Sequence, residues 1–127
     1  MLDSKESEIV SRVHGYWKRH FYPLQAESLA QAYAEDAILF GSAIAPYIGR
    51  AQIQQYFEQL PLGLYIGVAF VPEFVVPLTA DVISMAGTVI FQRQNLEPLD
   101  LRITHIFVKR NDQWMIASHH VSPKKTL

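Results

Sequence analysis

The sequence predicts an α+β domain in which a few N-terminal helices pack into a curved antiparallel sheet of four to five strands. Three observations predict it. As far as Leu60 the apolar residues recur mostly at helical spacing, and from Leu64 onward the period shortens to two, the spacing of strands. The turns between the later strands are short, which joins sequential strands antiparallel. Helices first and strands after argue for segregated α+β rather than βαβ units. A chain of 127 residues suits one domain, 1–127, with little left for a second.

Ser4 can cap the first helix. Ile9, Val13, Tyr16, Trp17 and His20 fall on one side of it, Lys5, Glu6, Glu8, Arg12, Lys18 and Arg19 mostly on the other, and Pro23 ends it. A second helix is read from about Glu27 to Glu35, with Leu29 and Tyr33 one turn apart and Asp36 closing it. Ala37-Ile38-Leu39-Phe40, bounded by Gly41, reads as a strand, and Ser42 to Ile48 as a loop. A third helix follows over about Arg50–Leu60, with Ile53, Tyr56, Phe57 and Leu60 in helical register and Pro61 and Gly63 stopping it. Strands are expected near Leu64–Val76, Val82–Arg93, Leu101–Arg110 and Trp114–Val121. Turns fall at Thr79-Ala80-Asp81, Asn95–Pro98 and Asn111–Gln113. Pro72 inside a strand run points to a bulge or an edge, which helps a sheet curve. Val89-Ile90-Phe91 and Ile106-Phe107-Val108 are apolar on both faces of their strands. One face meets the helices, and a second copy of the chain is the simplest cover for the other, so a homodimer through the sheet is expected.

Composition narrows the function classes. Half the residues are hydrophobic and 18% are charged, with a formal net charge of −1. A duplex-binding protein shows a basic excess, and here only the Lys124-Lys125 pair stands out, so nucleic acid is not an expected partner. There is no cysteine, which removes disulfides, thiolate metal sites and thiol nucleophiles together. The N-terminal run is charged and mixed in sign, unlike a secretory leader. The longest uncharged stretch, Gln59–Pro72, is too short and too rich in Pro and Gly to cross a bilayer. No membrane partner and a cytoplasmic location are the expectations.

Two segments carry a resemblance. Leu29–Phe40 followed by Ile48-Gly49-Arg50-Ala51-Gln52-Ile53 and Tyr56-Phe57 resembles the front half of the nuclear transport factor 2-like superfamily, in particular its SnoaL-like branch. Thr104–Ile116 through His120-Val121-Ser122 is similar to the same branch and to the association domain of calcium/calmodulin-dependent protein kinase. The resemblance covers roughly residues 8 to 123 and implies a cone: a bent sheet wrapped around helices, with a pocket at the open end. The superfamily includes steroid isomerases, polyketide cyclases, dehydratases, transport factors and oligomerising domains, so the likeness speaks for fold more than for function. Its steroid isomerases place a general-base aspartate shortly after the second helix, and the matching position here is Gly41.

His105 and His119 are the leading candidates for chemistry. With a plain two-residue turn at Asn111-Asp112, opposite partners sum to an odd number and the two imidazoles point to opposite faces. A three-residue loop ending in a left-handed residue makes the sum even and sets them diagonally on one face. The shared face is favoured, because Asp112 tolerates the left-handed conformation and the association-domain resemblance implies the longer loop. That face would carry Leu101, Ile103, His105, Phe107, Met115, Ala117, His119 and Val121, a wall suited to a small apolar molecule with a few polar groups. A neutral imidazole there exchanges protons near neutral pH. The alternative is a pair of structural histidines satisfied by backbone or by a tyrosine. The resemblance adds Tyr33 as a pocket hydroxyl and Asp36 as a partner orienting a histidine, with a helix-end turn as the other reading of Asp36. His120 points away from His119 and is read as a structural partner of Ser122 or an interface residue. His14 and His20, six apart, do not share a helical face. Neither a metal nor an organic cofactor is expected.

Two functions follow as expectations. One is a small-molecule pocket protein, a binder or a cofactor-independent isomerase, cyclase or dehydratase using His105, His119, Tyr33 and Asp36. The alternative is an association module, joined through the sheet, with a vestigial pocket.

Overall fold

Helix α1 (Lys5–Phe21) begins where its cap predicts: the Ser7 amide donates to Ser4 Oγ at 3.1 Å. The structure is a computed structural model and describes residues 4–41 and 45–125. The buried stripe of α1 is Ile9, Val10, Val13, His14, Trp17 and Phe21, the i, i+1, i+4, i+5, i+8 pattern of one helical face with one further turn. Tyr16 and His20 lie off that stripe and are partly exposed, while His14 lies on it.

The second helix is shorter than its pattern suggests. Helix α2 covers only Ala26–Ala30, and Tyr33, expected at its end, opens strand β1 (Tyr33–Phe40). Tertiary pairing overrides local propensity here. The Ile116 amide donates to Ala32 O at 2.8 Å, and Tyr33 pairs with Ile116. The β1 register then slips between Tyr33 and Ile38, and the Arg50 guanidinium donates two hydrogen bonds, 3.0 and 2.8 Å, to Tyr33 O. Within the loop read over Ser42–Ile48, residues 42–44 lie outside the described residues, and Tyr47–Ile48 form the short strand β2. Helix α3 spans Arg50–Glu58.

Strands β3 (Tyr65–Thr79), β4 (Val82–Arg93), β5 (Leu96–Arg110) and β6 (Gln113–Pro123) form the expected meander. The whole sheet has six strands in the order β2-β1-β6-β5-β4-β3. It is mixed, because β1 runs parallel to β6 while every other pair is antiparallel. The turn expected over Asn95–Pro98 is tighter: Arg93 pairs with Leu96, Asn95 takes φ 59°, and Pro98 lies inside β5. Pro72 does mark a bulge. The β3–β4 register shifts between Pro72 and Phe74, and a Cβ on Gly87, the residue paired with Pro72, would lie 2.1 Å from Val71 O. Only glycine lets the strands approach so closely.

Residues facing the helices include Val68, Ile83, Met85, Val89, Ile103 and Phe107, all buried. The reverse face leaves Phe40, Ile66, Phe74, Val76 and Leu78 exposed. No helix among the described residues is long and apolar enough to cross a membrane.

Candidate functional site

His105 and His119 are directly opposite each other on the inner face, in a cross-strand row Met85–His105–His119–Leu39. The turn is nonetheless the plain two-residue kind. Asn111 and Asp112 take φ 52° and 60°, and Arg110 pairs with Gln113, an odd sum. A β-bulge at Ala117 reconciles the two: Phe107 pairs with Ile116, and the next residue, Ile106, pairs with Ser118. The extra residue makes the sum even from there onward. The expected three-residue loop is thus replaced by a bulge deeper in the strand, and the imidazoles sit opposite rather than diagonal. The bulge also lets Ile116 and His119, an odd spacing apart, both face inward. Ile116 is fully buried, and Met115 and Ala117, expected on this wall, are only half-buried.

A third imidazole joins from the helical side. His14 Nε2 lies 3.1 Å from His105 Nδ1, and His105 Nε2 lies 3.1 Å from His119 Nδ1. Tyr33 Oη lies 2.9 Å from His119 Nδ1 and accepts a 3.0 Å hydrogen bond from Trp17 Nε1. Counting hydrogens fixes the tautomers, given that a neutral imidazole has one N–H. Tyr33 is fully buried, and among the described residues its O–H has one acceptor within reach, His119 Nδ1. His119 therefore holds its proton on Nε2. His105 Nε2–H donates to the same Nδ1, and His14 Nε2–H donates to His105 Nδ1. This arrangement gives each of the four contacts its own hydrogen, with the one lone pair of His119 Nδ1 shared between Tyr33 and His105. Reversing it strands the buried tyrosine O–H, at a cost of about 1–3 kcal/mol.

The file is neutral. Burial strips the hydration a cation needs and holds His14 and His119 down to about 3, with Lys18 adding to the effect on His14, and His14 and His120 to that on His119. Burial, then His119 and His14, holds His105 well below the usual imidazole range. Burial likewise pushes the Tyr33 hydroxyl above its ordinary range, so it stays a donor. His14 also stacks on Phe70, with ring centres 4.0 Å apart.

His119 is where this file meets open space. It lines a cavity of about 90 Å³ walled by Trp17, Phe21, Phe57 and Phe91, with Tyr56 and Gly41 also on its lining. His105 and Tyr33 stand behind His119 and do not reach the cavity. The Tyr56 hydroxyl makes no hydrogen bond with the described residues and lies 3.7 Å from where a Gly41 Cβ would stand. Burial, with Tyr65 and Tyr47 nearby, raises its pKa. A larger hollow of about 290 Å³ lies between α1 and the β5–β6 turn, lined by Arg12, Gln31, Asp112 and Trp114. It holds no imidazole, and its polar side chains are exposed.

Asp36 is not brought to the site. Its carboxylate is on the surface, 2.7 Å from Arg110 Nη1, and that hydrogen bond lowers its pKa. His120 is exposed on the outer face beside Phe40, and no hydrogen bond to Ser122 is present. Among the described residues no group of His, Asp or Glu side chains is arranged to hold a metal ion. His14 and Trp17 complete the file, and the signal for His14 was its place between Val10, Val13, Trp17 and Phe21 on the apolar stripe.

No protein-family model matches the chain, and no curated protein matches it. Solved structures do. A protein from Xanthomonas campestris described as a calcium/calmodulin-dependent protein kinase II association domain is 23% identical, with a TM-score of 0.82 over 98% of this chain and 91% of that one. A nuclear transport factor 2-like protein of unknown function from Shewanella oneidensis is 16% identical, with a TM-score of 0.78 over 91% and 98%. A ketosteroid isomerase-like protein from Erwinia carotovora is 15% identical, with a TM-score of 0.75 over 97% and 99%. The fold of the chain is that of these proteins.

Proposed function

From the nuclear transport factor 2-like fold as premise, we propose that this chain is a cytoplasmic single-domain pocket protein that holds a small apolar or aromatic compound by an acceptor oxygen placed against His119 Nε2–H. One observation carries the reading: an imidazole whose outer nitrogen makes no hydrogen bond with the described residues stands on a cavity wall of aromatic and aliphatic side chains. Because the tautomer is fixed from behind, the site offers a donor. It suits a ketone, phenolate or enolate oxygen, with Tyr56 as a second polar contact. A cavity of about 90 Å³ takes the polar end of such a molecule and leaves the rest in the mouth. A donor aimed at an oxygen that gains charge supports isomerisation, cyclisation or dehydration without a cofactor.

The test is a thermal-shift and NMR titration with phenol and cyclohexanone. A ligand at a hundred times its Kd adds about 2.7 kcal/mol, a rise of roughly 10 °C. His119→Leu should abolish the shift, and an equal shift in that variant removes His119 from the reading.

A second reading, assembly through the outer sheet face, is supported by Phe74, 66% exposed, and Leu78, 57% exposed, on β3. Large apolar side chains clustered on one face mark interfaces. The two readings are compatible, since the cavity opens on the other side of the sheet.

A further inference from the structure

We propose that His14, His105 and His119 form a proton relay joining the cavity to solvent beyond α1, so that a ligand filling the mouth still exchanges protons. The inference rests on the pocket reading and adds the class of compound: one that must gain a proton at one atom and lose it from another, as in a keto–enol or allylic shift.

The nitrogens alternate correctly for transfer. Each ring accepts on Nδ1 or donates on Nε2 to the next, and both gaps are 3.1 Å. The middle is closed, since His105 is fully buried. The ends are open. Neither His14 Nδ1 nor His119 Nε2 makes a hydrogen bond with the described residues. His119 lines the cavity, and His14, stacked on Phe70 of β3, keeps 4% of its surface exposed.

The steps balance. His119 Nε2–H passes its proton to an anionic ligand oxygen. His105 Nε2–H refills His119 Nδ1, His14 Nε2–H refills His105 Nδ1, and His14 Nδ1 takes a proton from hydronium or a buffer acid. Each ring ends neutral with its proton on Nδ1, and the ligand has lost its charge. His119 Nε2 is now a base. Removing a proton from a second ligand atom runs the file backward and releases a proton at His14. The reversed file leaves the Tyr33 O–H without its acceptor, so Tyr33 biases the reset toward the starting state.

The probe is 4-nitrophenolate, whose absorbance reports its protonation. After a pH jump with the probe saturating, His14→Phe, which keeps a ring against Phe70, should slow protonation at least about tenfold while leaving Kd within about twofold. Equal rates in the two proteins overturn the relay. Should His14→Phe not fold, or the probe not bind, ¹⁵N-histidine labelling of the wild type decides. Scalar couplings across both N–H···N contacts, with all three rings protonated on Nε2, support the relay, and absence of either coupling overturns it. Failure of the probe to bind counts against the pocket reading alone.

Discussion

At the scale of single residues, three neutral imidazoles in a dry core tie stability to pH. Their folded pKa values lie below 6.5, so in the window between about 3 and 6.5 the unfolded chain binds more protons than the folded one. The sign follows: stability is complete above pH 6.5 and falls as pH falls, each histidine contributing up to about 1.4 kcal/mol per pH unit. Urea midpoints measured at pH 7 and pH 5 should drop sharply for the wild type and less for His14→Phe. Tyr33→Phe removes the acceptor of Trp17 Nε1 and a donor to His119 Nδ1. It should cost about 1–3 kcal/mol in urea unfolding. It should also let ¹⁵N NMR detect the Nδ1–H tautomer of His119, which the wild type lacks.

At the scale of elements, two glycines make opposite predictions. Gly87 faces the Pro72 bulge, where an added Cβ would lie 2.1 Å from Val71 O. Gly87→Ala should therefore cost about 1–3 kcal/mol or more. Gly15 sits inside α1 with no atom within 4 Å of an added Cβ. Gly15→Ala should gain up to about 1 kcal/mol, and thermal melts of the two variants check both signs. The same elements show what the sequence discloses. Period and turn residues place α1 and the four long strands, and Pro72 announces its bulge, because these features are local. Tyr33 is read as helical because nothing local says that Ile116, more than eighty residues on, will recruit it into a strand. The bulge at Ala117 carries no glycine or proline to betray it, so the shared face of His105 and His119 was reachable only through a different turn. His14 is not in the predicted apolar face, which runs through Tyr16 and His20, because the helix packs about one residue's rotation away, on Val10, His14, Trp17 and Phe21. Asp36, placed by likeness to other proteins, went instead to the arginine at the end of β5.

At the scale of the whole molecule, the outer sheet face is the feature that asks for a partner. Placing charge there should separate copies without touching the cavity: Phe74→Lys with Val76→Lys should turn a dimeric light-scattering mass into a monomeric one and leave the near-UV spectrum unchanged. A monomeric wild type at micromolar concentration removes the assembly reading. The parallel seam between β1 and β6 has a different outcome, one in time rather than space. The wall behind the cavity needs both the segment around residues 33–40 and that around 113–123, so in a nascent chain the first strand has only the two-residue β2 beside it until β6 has been made. Contacts this distant in sequence slow folding. A ribosome-stalled chain ending before Gln113 should stay protease-sensitive throughout, rather than acquire resistance piece by piece.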